Sequence, residues 1–240
     1  MTRVFPTLKT DPIVEAQLTL VFNTTTPIDA SQIKDFLTSK AFSNIKPLMR
    51  TSFKIEEGKA ETNHSLLGYR GELGNFVLQY TSTTVSLSEI NKYSNWGNVK
   101  NSAKQYWDEF AKHFVVSNIS QISVRYINRL QIPCAIEVAS EYWKAANPKM
   151  PTEYGMINEY FNRIGFSFPN TDVKGLLIQM LDNKPASPGH VNILVDILTM
   201  IQSDFKPDSA ELWTKFEQLR DFKNLIFFDN LTDKAVGLYK

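Results

Sequence analysis

The 240-residue chain holds one cysteine, Cys134, and three histidines, His64, His113 and His190. A lone thiol excludes an internal disulfide and a thiolate zinc cluster, and the histidines show none of the spacings that put two imidazoles on one metal. Cys134 reads as a small buried hydrophobe after a strand. Gly-x-Ser-x-Gly and His-Glu-x-x-His are both missing, which removes the nucleophile elbow and the zinc-hydrolase helix. Gly68, Gly71 and Gly74 have phosphate-loop spacing, yet they lie between strand patterns with no helix after them, so they read as turn glycines. No charge of one sign dominates: the 26 basic and 25 acidic residues divide almost evenly between the two halves, which argues against non-specific nucleic-acid binding. Apolar runs fall far short of the ~18 residues that span a bilayer, and the N-terminal residues lack the apolar stretch of a signal peptide. The expectation is a cytoplasmic, non-enzymatic protein with no membrane partner, for which no catalytic residue, cofactor or metal ligand is named.

What is present is core-forming material. Hydrophobic residues make up 42% of the chain and aromatic ones 12%, enough for a folded globule. Residues 12–22 alternate apolar and polar with the period of a strand. Asp29 then offers an N-cap for a helix carrying Ile33, Phe36, Leu37 and Ala41. Strands are expected at 48–57, 64–72 and 75–88, the first two joined through Glu56-Glu57-Gly58-Lys59. A helix at 97–115 follows, striped by Val99, Ala103, Tyr106, Trp107, Phe110 and Phe114. The second half repeats the order: a strand at 119–132, a helix at 135–146, strands near 158–168, 172–183 and 190–202, and a closing helix with Leu212, Trp213, Phe216 and Leu219, capped by Asp208 or Ser209. The last turn draws on Asp182-Asn183-Lys184-Pro185. The strand at 190–202 is apolar on both faces, which predicts an interior strand covered on both sides.

The two halves share an offset. Pro27 and Pro133 lie 106 residues apart, and so do Trp107 and Trp213; the even-numbered apolar positions of the first strand map onto those of the strand at 119–132, with Ser120 and Asn128 breaking the match at its ends. A period this long indicates a duplicated domain. The expected fold is α+β: two pseudo-equivalent β-α-β-β-β-α halves, residues 1–117 and 118–240, packed as one unit with antiparallel sheet backed by helices.

Three segments form an ordered set: Asp11-Pro12-Ile13-Val14-Glu15-Ala16, then Val124-Arg125-Tyr126-Ile127-Asn128-Arg129-Leu130, then Lys223-Asn224-Leu225-Ile226-Phe227-Phe228 with Leu231-Thr232. Through them the chain resembles, over essentially its whole length, a sporadically distributed, uncharacterised family of prokaryotic proteins. The resemblance supplies no activity or catalytic residue. The patchy distribution implies mobile loci, defence-related and CRISPR-associated ones among them.

Arg125 and Arg129 are four apart on a strand whose buried face carries Ile122, Val124 and Tyr126, so both guanidinium groups share the opposite face. Two arginines so placed grip a carboxylate or phosphate, or pair with acidic side chains of neighbouring strands. At the 106-residue offset they correspond to Thr19 and Asn23. Asn128 joins them as a candidate binding residue, with a backbone hydrogen bond as its structural reading. Asp196, inside the most apolar strand, is expected to be substantially buried, with Arg125 or Arg129 as its counter-ion. The functional expectation is recognition of another macromolecule, a protein partner first. The alternatives are nucleic-acid binding across a duplicated sheet, not favoured by charge, and a small-ligand or enzyme pocket around Arg125 and Arg129.

Overall fold

A computed structural model describes residues 5–56, 59–146, 157–182, 184 and 186–240, without the side chains of 54–61 and 137. Glu57 and Gly58 of one expected turn, and Asn183 and Pro185 of another, lie outside the described residues. The elements run β1 (Ile13–Thr24), α1 (Ala30–Ser39), β2 (Ser43–Glu56), β3 (Lys59–Leu73), β4 (Phe76–Thr81), β5 (Thr84–Ile90), α2 (Trp96–His113) and β6 (Val116–Ile132). A 3-10 helix (Ile136–Glu141), β7 (Phe161–Ser167), β8 (Val173–Leu181), β9 (Val191–Phe205), α3 (Ala210–Asn230) and α4 (Asp233–Leu238) follow. The strands form a nine-stranded, mostly antiparallel sheet in the order β2-β3-β4-β5-β1-β6-β9-β8-β7, so the fold is α+β. Among the described residues no helix is long and apolar enough to cross a membrane.

The chain forms two compact units that interleave along the sequence. Unit 1 comprises Met1–Ala16, Ser123–Ile201 and Thr214–Lys240, and unit 2 comprises Gln17–Ile122 and Gln202–Trp213.

In unit 2 the capping expectation holds. Asp29 accepts a hydrogen bond from Ser31 N at 2.7 Å while the Gln32 side chain accepts one from Asp29 N at 2.9 Å, a reciprocal box that satisfies donors the first turn leaves open. Asn95 caps α2 through Asn98 N. Between sheet and helices lies an aromatic core of Phe22, Phe36, Tyr80, Trp107 and Phe110, all fully or almost fully buried, with Phe22 and Phe110 centroids 5.3 Å apart. The Trp107 Nε1 proton goes to Pro207 O at 2.9 Å.

Unit 1 has its own core, in which Ile193, Val195 and Ile197 of β9 and Leu177 of β8 pack with Ala139, Trp143, Ile226 and Phe227. Gln179, fully buried, sits at its polar centre. With its oxygen toward the indole, its amide accepts from Trp143 Nε1 at 2.7 Å and donates to Ala145 O and Tyr160 OH, both at 3.0 Å.

Several expectations are corrected. The strand predicted over 75–88 is two strands, β4 and β5, because the chain turns at Ser82–Thr83, where Thr83 N donates to Thr81 Oγ1 and Phe22 N takes Thr83 O. The helix predicted over 135–146 stops at Glu141. Beyond it Tyr142 O accepts from Thr232 N at 3.1 Å and Lys144 N donates to Asn230 O at 2.8 Å, so this backbone is tied to the α3–α4 turn instead of its own next turn. The closing helix is longer than predicted and gains α4, while Ser209 caps it as foreseen. Only Gly74 of the three glycines is a turn glycine, at φ +60°. Gly68 and Gly71 lie within β3, where a Cβ would stand 2.0 Å from Tyr80 O and 2.9 Å from Phe42 Cβ, so close packing requires them. With these changes the element orders of the two halves differ by one strand, one helix type and the added α4. Trp107 is fully buried, whereas Trp213 is half-buried.

Candidate binding face

In unit 1 the strands alternate strictly, as a two-residue period demands. On β8 and β9 the odd-numbered side chains, Val173, Leu177, Val195, Ile197 and Ile201 among them, are buried on the helix side. The register then fixes the other face, which four cross-strand rows of β7, β8 and β9 compose: Phe161–Met180–Leu194, Arg163–Ile178–Asp196, Gly165–Leu176–Leu198 and Ser167–Lys174–Met200. Leu176, Ile178, Met180, Leu194 and Leu198 are half-buried, and Phe161 is 63% exposed. β9 is thus interior, as predicted, but fully covered on the helix side alone.

Strand β6 adds Arg125 and Arg129 to this face. Arg125 grips Asp196 with two hydrogen bonds, Nε to Oδ1 at 2.9 Å and NH2 to Oδ2 at 2.6 Å, a fork matched to the carboxylate. These bonds, with the nearby Glu15 charge adding to them, raise the Arg125 pKa above its ordinary value against the opposing effect of burial. The counter-ion reading of Asp196 therefore holds for Arg125. Arg129 takes a different carboxylate: its Nε donates to Asp182, just past β8, which also accepts from Lys184 N at 3.2 Å. Sequence reading used Asp182 only as a turn residue and missed this pair. In both pairs the guanidinium lies outermost. The arginine side chains are 39% and 28% exposed, against 11% for Asp196 and 9% for Asp182.

Asn128 belongs to the other side of the strand. It is buried at 3% exposure and donates from Nδ2 to Val195 O at 3.2 Å, so the structure separates it from the two arginines it was grouped with.

On that helix side of unit 1 the three resemblance segments converge, which no single motif signalled. Arg129 N donates to Pro12 O at 2.8 Å. The Lys223 ammonium from α3 lies 3.7 Å from the Tyr126 ring centroid. Lys223 is buried at 6% exposure, and burial pushes its pKa from 10.5 down to about 7, with Arg220 adding to the shift and Asp11 opposing it. Asp11 is raised by its own burial and lowered in turn by Lys223.

The histidines do not meet in one site. His64 shares a hydrogen bond with Thr51 across the β2–β3 ribbon, His113 lies against the Phe36 and Phe114 rings, and His190 bonds to Pro188 O. Two surface grooves of unit 2, about 690 Å³ beside α1 and β3 and about 430 Å³ along α2, contain none of Arg125, Arg129 and Asp196.

Comparison of the chain with protein-family models and with curated proteins gave no match.

Proposed function

We propose that this chain is a non-catalytic recognition protein that binds a protein partner through the open face of unit 1. One observation carries the reading: six large apolar side chains, Phe161, Leu176, Ile178, Met180, Leu194 and Leu198, share a sheet face with two arginine–carboxylate pairs. Contiguous apolar surface of this kind marks association sites, and Met, Phe and Arg are the residues that interface centres favour. Phosphate backbones would leave the aliphatic rows without a purpose, which sets the protein reading above nucleic acid. The duplication belongs to the same proposal. Its support is the strand order within each half, β2-β3-β4-β5-β1 in the first and β7-β8-β9-β6 in the second, which treats β2 as an addition to a shared plan.

The test compares affinity purifications from the native host using the full chain, a Phe161→Asp variant and a Gln79→Glu variant on β4 of unit 2. A protein retained by the first and third but lost from the second supports the reading. Equal retention by all three overturns it, as does recovery of nucleic acid in place of protein.

A further inference from the structure

We propose that the open face of unit 1 receives an acidic amphipathic helix of the partner protein, an inference that rests on the protein-binding reading above and specifies its ligand. The first support is charge. Although Arg125 and Arg129 are paired, their carboxylates lie beneath them, so each pair shows solvent its cationic part. Arg163 on β7 is exposed, and among the described residues it has no ion-pair partner. The cations on this face are therefore Arg163, Arg125, Arg129 and Lys174 of β8, with Glu15 also acting on Arg125, and the complementary ligand carries Asp or Glu.

The second support is spacing. Arg163, Ile178, Asp196 and Arg125 lie on four successive strands, β7, β8, β9 and β6. At about 4.8 Å per step the two arginine backbones are roughly 14 Å apart. A helix with its side chains is about 10–12 Å across, so it fits along β8 and β9 between the two guanidinium groups. Its apolar stripe then covers Leu176, Ile178, Leu194 and Leu198, and carboxylates on either flank reach Arg163 on one side and Arg125 on the other. From Leu176 to Met180 the strand rises about 13 Å, which two to three helical turns match. An apolar groove that receives a helix reads such i, i+3, i+4 anchors.

The experiment places a photoreactive benzoylphenylalanine at position 161 of the full chain in its native host, with the same residue at position 79 as control, and sequences the cross-linked peptide. The expected adduct, specific to position 161, is a protein segment of net negative charge with apolar residues three and four apart. A synthetic copy of that segment should bind the purified chain at least tenfold more weakly after Arg163→Glu, and more weakly as salt rises. If the segment binds equally well with Arg163→Glu but loses binding with Phe161→Asp, the acidic-helix inference falls while the docking reading stands. Cross-linking to a second copy of this chain overturns the inference. Adducts to nucleic acid or lipid, or none beyond those at position 79, overturn both.

Discussion

Two rows of side chains, one in each unit, each cross four neighbouring strands and differ in chemistry beyond the arginine at one end. In unit 2 the row runs Arg70, Gln79, Ser86 and Thr19 across β3, β4, β5 and β1. In unit 1 it runs Arg163, Ile178, Asp196 and Arg125 across β7, β8, β9 and β6. Both open faces are closed by a cross-strand bond at the inner end. In unit 2 this is a hydroxyl pair, Thr19 with Ser86 at 2.8 Å, supported by Gln17 to Ser88 at 3.0 Å. In unit 1 it is a two-pronged ion pair beside aliphatic residues. A hydroxyl pair contributes about 1 kcal/mol at little desolvation cost, whereas a carboxylate buried next to Ile178 must recover a much larger penalty. Strand pairing alone would be served by the cheaper arrangement. Placing a guanidinium and a set of half-covered aliphatics together instead leaves apolar area partly exposed, the feature on which the proposed docking role rests.

The helix-facing sides should respond alike, and large truncations there test whether the contrast is confined to the open faces. Trp107→Ala in unit 2 and Trp143→Ala in unit 1 each remove a fully buried indole with a hydrogen-bonded Nε1. Each is expected to cost about 3–5 kcal/mol in denaturant titration. A loss below ~1 kcal/mol for either would mean that its unit lacks the core described. Trp213→Ala should cost clearly less, since that ring is half-buried and lies 5.8 Å from the Lys104 ammonium.

Unit 1 differs again in holding a buried amine. The folded pKa of Lys223, about 7, lies below its ordinary 10.5, so between these values the unfolded chain binds the extra proton. Stability therefore rises with pH across that window, by up to ~1.4 kcal/mol per pH unit, and the penalty is fully present below pH 7. Lys223→Met should remove that slope relative to the parent chain and be the more stable of the two at pH 6. Parallel stability curves for the two proteins from pH 6 to 9 would show that the ammonium stays charged throughout.

The next effect contrasts the two inner bonds directly. Arg125→Ala leaves Asp196 without its partner; because the arginine is 39% exposed, the cost falls short of a fully buried pair and is expected at about 1–3 kcal/mol. Thr19→Ala, at the position 106 residues earlier, should cost under ~1 kcal/mol. Equal losses would erase the distinction between the two faces.

Much of this was legible in the sequence, because alternation and capping are local signals. The β1 and β6 patterns, the Asp29 cap and the burial of Asp196 with an arginine all follow from residues close in sequence or from the cost of an unpaired charge. What escaped lacked a local mark. The turn at Ser82–Thr83 has no glycine or proline, and its conformation is set by Thr81 and by a bond from Phe22, some 60 residues away. Tyr142 to Lys144 have helical apolar spacing, yet their backbone partners, Asn230 and Thr232, are nearly 90 residues later. Asn128, on the even-numbered buried face of β6, makes the backbone hydrogen bond of its structural reading, while the arginines it was grouped with as a binding residue point the other way. The apolar face itself could not be read from β8 or β9 alone, since each is apolar on both sides; only the register with β7 brings Phe161 and Arg163 into it.

The smallest effect is the one that decides whether the face of unit 1 is open. Phe161 is 63% exposed at the edge of the apolar rows, so Phe161→Ser removes little that folding has buried and should change stability by no more than ~0.5 kcal/mol. The corresponding polar face of unit 2 gives the same null response for Gln79→Ser, because a half-exposed amide loses only water-exchangeable bonds. Near-neutral changes at both sites, with Phe161 alone affecting association, would locate the difference between the units in what each face binds. A loss above ~1.5 kcal/mol at Phe161 would show instead that another part of the chain covers this ring in solution, and the open apolar face, with the recognition role built on it, would not survive.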